Sequence, residues 1–307
     1  MTMSIAVFGS INMDLVVRSP HIPVPGETIL GSDFVTVPGG KGANQAVAAA
    51  QLGLPVHLIG AVGDDGFGQQ LRQSLRDYAV DITHVQTIRG ASGVALITVD
   101  DKGENTIVVA SGANMRMTAG ILDAVALALD DSKSLLLQLE GPYDLVLTAA
   151  HLAKRRNLMV ILDPAPAPQK PLPAELYALA DIITPNENET LALTGIAPVD
   201  DASAAAAAKV LHQRGAQHVV IKRGAQGVVW SHAGQQQIIP AFVVPAVDTV
   251  AAGDCYNGAL AVALHDGMLM PVALRFAAAS AAIAVTRRGA QSSMPNRREV
   301  LALLGQA

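Results

Sequence analysis

Short, almost wholly apolar runs alternate with stretches of helical period along most of this chain. Ser4 to Gly9 is such a run and ends in glycine; Val56 to Gly60, Leu135 to Leu139, Leu158 to Leu162, Ile182 to Thr184 and His218 to Lys222 resemble it. A strand that is apolar at nearly every position, not at alternate ones, is covered on both faces, as in a parallel sheet. Ala43 to Leu52, Gly68 to Tyr78, Tyr143 to Arg156 and Ala202 to Arg214 carry helical patterns between these runs. The alternation predicts an α/β fold: a doubly wound, mostly parallel sheet flanked by helices, with right-handed crossovers. The alanines from Ala204 to Ala208 belong to one of these helices, since alanine is the best helix former. A long apolar helix is expected from about Cys255, and another over Leu274 to Thr286.

Two regions break the rhythm. Leu15 to Pro38 carries prolines at 20, 23, 25 and 38, and Ser92 to Ser111 reads as two strands joined by Asp100-Asp101-Lys102-Gly103. Neither has a helical pattern. They are either two surface hairpins or one small β-sheet acting as a lid over the main sheet. We expect residues 1–307 to form a single domain, with the lid built from insertions at about 15–38 and 92–111.

Composition narrows the function. Half of the 307 residues are hydrophobic, enough for a large core. The net charge of −5, with 21 scattered basic residues, argues against a nucleic-acid surface or a polybasic membrane patch, so a small molecule is the expected partner. The start shows no basic flank before its apolar run, and apolar runs fall short of the roughly 20 residues of a membrane span. A single cysteine cannot form an internal disulfide, which points to a reducing cytoplasm. The eight histidines have no zinc-ligand spacing. Cys255 reads as a small buried thiol, because no histidine partner is in view.

The chemistry centres on Asp248 to Asp254. Ala251, Ala252 and Gly253 admit close backbone approach, and the first amides of the following helix have no partners of their own, which makes an anion site. Asp254 at its rim reads either as a base beside an anion hole or as an ordinary acidic first turn. Gly39-Gly40-Lys41-Gly42-Ala43-Asn44 opens a helix but matches neither the P-loop nor the dinucleotide fingerprint, which disfavours a nicotinamide oxidoreductase. It offers one ammonium and one amide suited to hydroxyls. Asn12, Asp14 and Glu140 follow strands, where α/β sheets place ligand residues. Asn186 and Glu189 start a helix after another strand, as a Mg²⁺-orienting carboxylate or as a capping pair. Lys222 to Gly227 is a turn with two cations, either a nucleotide phosphate path or a basic hairpin.

With these residues in place the chain resembles the ribokinase-like family of carbohydrate kinases over nearly its whole length. The matching segments are Gly9-Ser10-Ile11-Asn12-Met13-Asp14, Pro25 to Thr28, Gly39 to Ala46, Val62 to Asp65, Gln138 to Glu140, Pro164 to Ala167, Asn186 to Glu189, Val247 to Asp254 and Ala284 to Gln291. The resemblance implies ATP-dependent transfer of a γ-phosphoryl group to the primary hydroxyl of a pentose. D-ribose is the leading substrate; deoxyribose, another sugar or a nucleoside is the alternative. By matching position Asp254 would be the base, and Ala252 and Gly253 would supply the anion hole. Asn12, Asp14, Gly40, Lys41, Asn44 and Glu140 would hold the sugar. Asn186, Lys222, Gly224, Gly227, Gly253 and Ala278 would hold ATP, with Glu189 organising Mg²⁺ through water. A K⁺ site would use Asp248, Val250, Ala284, Arg287, Gly289 and Ser293. The lid would also join two copies in a homodimer.

This chain departs from the family pattern in places. Lys222-Arg223-Gly224 stands where Thr-Leu-Gly is common, Ala278 where a histidine often lies near adenine, and Cys255-Tyr256 where a small residue and phenylalanine are usual. A non-catalytic sugar-binding relative is the competing class, but it has no need of base, anion hole and metal residues together.

Overall fold

The computed structural model describes residues 3–168 and 170–305. Met1, Thr2, Gln169, Gln306 and Ala307 lie outside it, so the ends of the expected single domain fall beyond the described residues. The first half runs β1 (Ser4–Phe8), β2 (Asn12–Ser19), β3 (Phe34–Gly39), α1 (Lys41–Gln51), β4 (Val56–Gly63), α2 (Gly66–Asp77), β5 (Val85–Ile88), β6 (Gly93–Asp100), β7 (Asn105–Ala110) and α3 (Ile121–Leu129). The second half runs β8 (Ser132–Leu137), α4 (Tyr143–Arg155), β9 (Met159–Leu162), α5 (Ala174–Leu179), β10 (Ile182–Ile183), α6 (Glu187–Thr194), α7 (Asp201–Gln213), β11 (His218–Lys222), β12 (Val228–His232), β13 (Gln235–Ile239), α8 (Ala252–His265), α9 (Met270–Ala284) and α10 (Arg297–Gly305).

Among the described residues nine strands form the large sheet, in the order β13-β12-β11-β10-β9-β8-β1-β4-β5. It is parallel from β11 to β5, and the β12–β13 hairpin adds an antiparallel edge. The mostly parallel, helix-flanked sheet is as expected. Strand β1 shows why its sequence does not alternate: Ile5 and Val7 enter the core under α1, α8 and α9, while Ala6 and Phe8 enter the core under α3 and α4. Both faces are dry, so every position from Ile5 to Phe8 is apolar, and Ser4 at the start satisfies its hydroxyl on Ser132.

The register aligns the strand ends that matter. Phe8 pairs with Leu137, Leu137 with Leu162, and Leu162 with Ile183, so the residues that follow β1, β8, β9 and β10 emerge together along one edge. Successive connections leave β1 toward β4 on one side and return to β8 on the other. That reversal opens a crevice at the carboxyl ends of β1 and β8, the usual ligand position in open α/β sheets.

The two excursions form one small sheet, in the order β3-β2-β6-β7. Each is an antiparallel pair, and β2 joins them by running parallel to β6 from Asn12–Gly93 to Ser19–Asp100. Two independent surface hairpins are therefore ruled out. Within the first excursion only residues 34–39 and the stretch from 12 to 19 are strand; the proline-bearing segment between them is irregular. The small sheet leaves Phe34, Val35, Leu96, Ile107 and Val108 more than half exposed.

Candidate active site

Helix α8 begins at Ala252, three residues earlier than its apolar pattern suggests. Its N-cap, Ala251, has φ 58°, a left-handed conformation that alanine adopts at a cost and that turns the chain sharply into the helix. The amide of Ala252 donates to Thr249 O at 3.3 Å. The amides of Gly253 and Asp254 have no protein partner among the described residues. The open pair thus lies one residue later than the expected Ala252 and Gly253.

Asp254 sits on the first turn of α8 and is buried. Asn44 Nδ2 donates to its Oδ2 at 3.0 Å, and Gln45 Nε2 donates to its Oδ1 at 3.1 Å. Both donors come from α1, which packs closely on α8. At Gly258, one turn beyond Asp254, a β-carbon would stand 2.6 Å from Gln45 O. Burial leads in raising the Asp254 pKa to about 6; the Lys41 ammonium pulls it down and Asp163 pushes it up. The carboxylate is thus oriented by two amides and poised to titrate near the working range of a general base.

Alpha-1 itself is aimed by glycines. Gly40, its N-cap, has φ 94° and would place a β-carbon 2.6 Å from Asn12 N. Gly42 lies against Gly9, with a β-carbon position 2.7 Å from Gly9 Cα. Lys41 therefore begins the helix inside the crevice. Burial alone would lower its pKa, but Asp254, Glu140, Asp163 and Glu189 outweigh that and hold the ammonium above its ordinary range.

Asn12, Asp14 and Glu140 complete the pocket. Asn12 Nδ2 reaches Glu140 Oε2 at 3.4 Å, and Asn12 Oδ1 accepts from Asn114 Nδ2 at 2.7 Å. Ser10 Oγ donates to Glu140 as well. Asp14 is raised to about 7, by burial first and then by Glu140 and Asp254, with Lys41 opposing. Carboxylates, amides and one ammonium thus face a common space, the mixture that a polyol needs.

Next to it lies a cavity of about 480 Å³ whose lining includes Asn186, Lys222, Gly224, Gly227, Ala252, Gly253 and Ala278. All the residues expected at ATP border it. The expected turn of two cations supplies one: Arg223 turns away and pairs with Asp201 at 2.5 Å. Asn186 and Glu189 do form a reciprocal capping box, with Glu189 Oε2 accepting from Asn186 N at 2.7 Å and Oε1 from Asn186 Nδ2 at 2.9 Å. Glu189 is also buried, and its pKa is raised by that burial and by Asp163.

The remaining predicted set gathers at the far side of the α8 turn. Asp248 Oδ1 accepts from Val250 N and Oδ2 from Gly289 N, each at 3.0 Å. Ala284 O accepts from Arg287 N at 3.0 Å, and Ser293 Oγ donates to Ala290 O at 2.7 Å. Arg287 sends its guanidinium to Glu299, so only its backbone remains for that loop. Cys255 is buried and its thiol is pushed up by burial and by Asp254, which fits a packing role.

Sequence reasoning gives no role to Asp163, Gln45, Gln138 or Asn114, although Gln45 and Gln138 lie in segments that carry the family resemblance. Asp163 carried a signal, since it directly follows a strand; Gln45 stands in the segment Gly39 to Ala46, but a buried polar residue inside a helix carries no local mark of the partner it serves. Asp163 Oδ2 accepts from Gln45 Nε2 at 3.0 Å, and Gln45 Oε1 accepts from Gln138 Nε2 at 2.7 Å.

A polyol-binding cluster, a candidate base beside open helix amides and a neighbouring cavity of about 480 Å³ are the parts a kinase of small hydroxylated substrates needs. Residues 2–297 match the pfkB family of carbohydrate kinases, and the chain belongs to that family. Ribokinase from Haemophilus influenzae is 44% identical over 308 residues, spanning all of both chains. Deoxyribokinase from Salmonella typhimurium is 36% identical, over 96% of each chain. The structure of Arabidopsis thaliana ribokinase complexed with ribose and ATP superimposes with a TM-score of 0.91, at 33% identity and 99% coverage of both chains. The chain is an ATP-dependent sugar kinase.

Proposed function

We infer that the protein transfers the γ-phosphoryl group of ATP to the 5-hydroxyl of D-ribose, giving ribose 5-phosphate. The observation that carries the mechanism is the Asp254 carboxylate, held by Asn44 and Gln45 one residue from the open amide of Gly253, a residue that lines the neighbouring cavity. Asn12, Asp14, Gly40, Lys41, Asn44 and Glu140 grip the sugar and turn its primary hydroxyl toward Asp254. Asp254 accepts the hydroxyl proton as the oxygen attacks. The amides of Gly253 and Asp254 meet the charge on the phosphoryl oxygens, an arrangement typically worth about 3 kcal/mol for each donor. Asn186, Lys222, Gly224, Gly227 and Ala278 border the nucleotide.

Metal ions fit this reading. Both Glu189 oxygens are engaged by Asn186, so the carboxylate suits a hydrated Mg²⁺ held through water, the form that ion prefers. Bound Mg²⁺ would neutralise phosphate charge. The Asp248 carboxylate and the carbonyls at Val250, Ala284, Arg287 and Gly289, with the Ser293 hydroxyl, form an oxygen-rich set suited to K⁺, which would steady the turn before α8. The small sheet acts as a lid over the sugar, and its exposed Phe34, Val35, Ile107 and Val108 suit a homodimer contact. We place the enzyme in the cytoplasm; among the described residues no helix is long and apolar enough to cross a membrane.

The test is a phosphorylation panel of ribose, 2-deoxyribose, fructose, adenosine and cytidine with ATP. Ribose is expected to give the highest kcat/KM. Turnover of deoxyribose in preference to ribose would move the assignment to deoxyribokinase, the activity of the Salmonella relative.

A further inference from the structure

A buried ion pair stands where the sugar pocket meets the nucleotide cavity. Lys222 Nζ lies 3.1 Å from Asp163 Oδ1, and the two side chains are 13% and 4% exposed. Desolvating two charges offsets most of their attraction, so stability is a weak reason for such a pair. Its placement is more informative. Lys222 ends β11 and lines the nucleotide cavity with Ala252 and Gly253. Its ammonium is 3.5 Å from the point where a β-carbon on Gly253 would stand, and so lies beside the open amides. On the other side, Asp163 Oδ2 accepts from Gln45 Nε2, and the same nitrogen donates to Asp254 Oδ1. Gln45 cannot swing away, because Gln138 holds its carbonyl oxygen at 2.7 Å. One carboxylate therefore fixes a cation with one oxygen and, through a single carboxamide, fixes the base with the other.

We propose that Lys222 is a catalytic cation that contacts the phosphoryl group in flight, and that Asp163 is a positioning residue that holds Lys222 and, through Gln45, the Asp254 carboxylate. This rests on the phosphoryl-transfer reading. In that step the sugar oxygen forms a bond to the γ-phosphorus, and the bond from that phosphorus to the β,γ-bridging oxygen breaks with its electron pair on ADP. The hydroxyl proton passes to Asp254, and Lys222 stays protonated throughout. Charge spread over the equatorial and leaving oxygens is met by an ammonium that a carboxylate already holds in place, so nothing must reorganise as the charge develops. The lysine stands where the family resemblance leads one to expect threonine, so this chain brings a full positive charge to the site.

Kinetics of the intact protein test the proposal, beginning with ribose turnover by the unaltered chain. The double substitution Lys222→Met with Asp163→Asn removes both charges and strands neither. It is expected to lower kcat about a hundredfold while KM for ribose changes less than about threefold. Affinity for ADP with aluminium fluoride, a mimic of the phosphoryl group in transfer, is expected to fall by about the same factor, and affinity for ADP alone much less. Asp163→Asn alone is expected to move the acid limb of the kcat profile to lower pH. Asp254 then keeps Lys41, Asn44, Gln45 and its neighbour Asp14 around it, while the Asp163 charge that opposed its ionisation is gone. A double variant with kcat within about threefold of the parent and unchanged affinity for the mimic would make the pair a packing element and overturn the proposal. Absence of sugar phosphorylation by the unaltered chain would overturn the underlying reading, and the proposal with it.

Discussion

Replacing Asp254 by asparagine separates what the site costs in stability from what it contributes to chemistry. The residue is 7% exposed, and its pKa stands at about 6 against an ordinary 3.8. A folded-state value above the unfolded one means that the ionised carboxylate is less at ease in the fold than in the open chain. The favourable contribution is complete below the unfolded value and is lost as pH rises through the folded one. The resulting penalty is about 3 kcal/mol near pH 8 and about half of that near pH 5. Asparagine cannot ionise and escapes this penalty. It offers one acceptor in place of two, so one of the donors from Asn44 and Gln45 is left unpaired, at about 1 kcal/mol whatever the pH. The variant is therefore expected to be more stable than the parent by about 2 kcal/mol near pH 8 and close to it in stability near pH 5. Urea unfolding at both pH values measures the difference, and turnover on the same samples is expected to fall by about 10² to 10⁴. A variant less stable than the parent near pH 8, or a gap that widens on acidification, would refute the electrostatic argument. Retained turnover would remove Asp254 as the base.

Other perturbations probe the same machinery. In the parent enzyme, kcat/KM is expected to fall about tenfold per pH unit below about pH 6, where Asp254 becomes protonated; a flat profile there would contradict that role. Gly253→Ala adds a methyl whose nearest neighbour is Lys222 Nζ at 3.5 Å, so thermal stability should hold while kcat drops about tenfold or more as the methyl crowds the open amides. Gly42→Ala drives a β-carbon to 2.7 Å from Gly9 Cα and should cost about 2 kcal/mol or more in denaturant unfolding, because both partners are backbone. Asp14→Asn is expected to raise KM for ribose by about 10- to 100-fold with a smaller change in KM for ATP, which steady-state kinetics would show.

The differing legibility of these residues has a physical basis. Sheet and helices were plain because burial on one or two faces imposes a period on the sequence, and that period is local. Asn12, Asp14 and Glu140 were visible for the same reason, since each follows a strand whose end can be read. The capping box at Asn186 and Glu189 was visible because its partners are three residues apart. Asp163 and Gln45 escaped notice because their meaning lies in partners 118 residues apart. The choice between Ala252 and Asp254 as an amide donor was equally hidden, since it turns on whether one N–H folds back to Thr249.

By itself, then, the sequence determined a doubly wound α/β chain with two non-helical excursions, polar residues at several strand ends and an acidic residue at a helix start of small residues. Local period, turn chemistry and capping suffice for those features. Only the tertiary structure decided that the excursions share one sheet, that Arg223 leaves the cavity while Lys222 enters it, and that a single glutamine joins Asp163 to Asp254. Close packing of α1 on α8 and the register of β8, β9 and β10 bring those side chains together, and neither has a mark in any one stretch of chain.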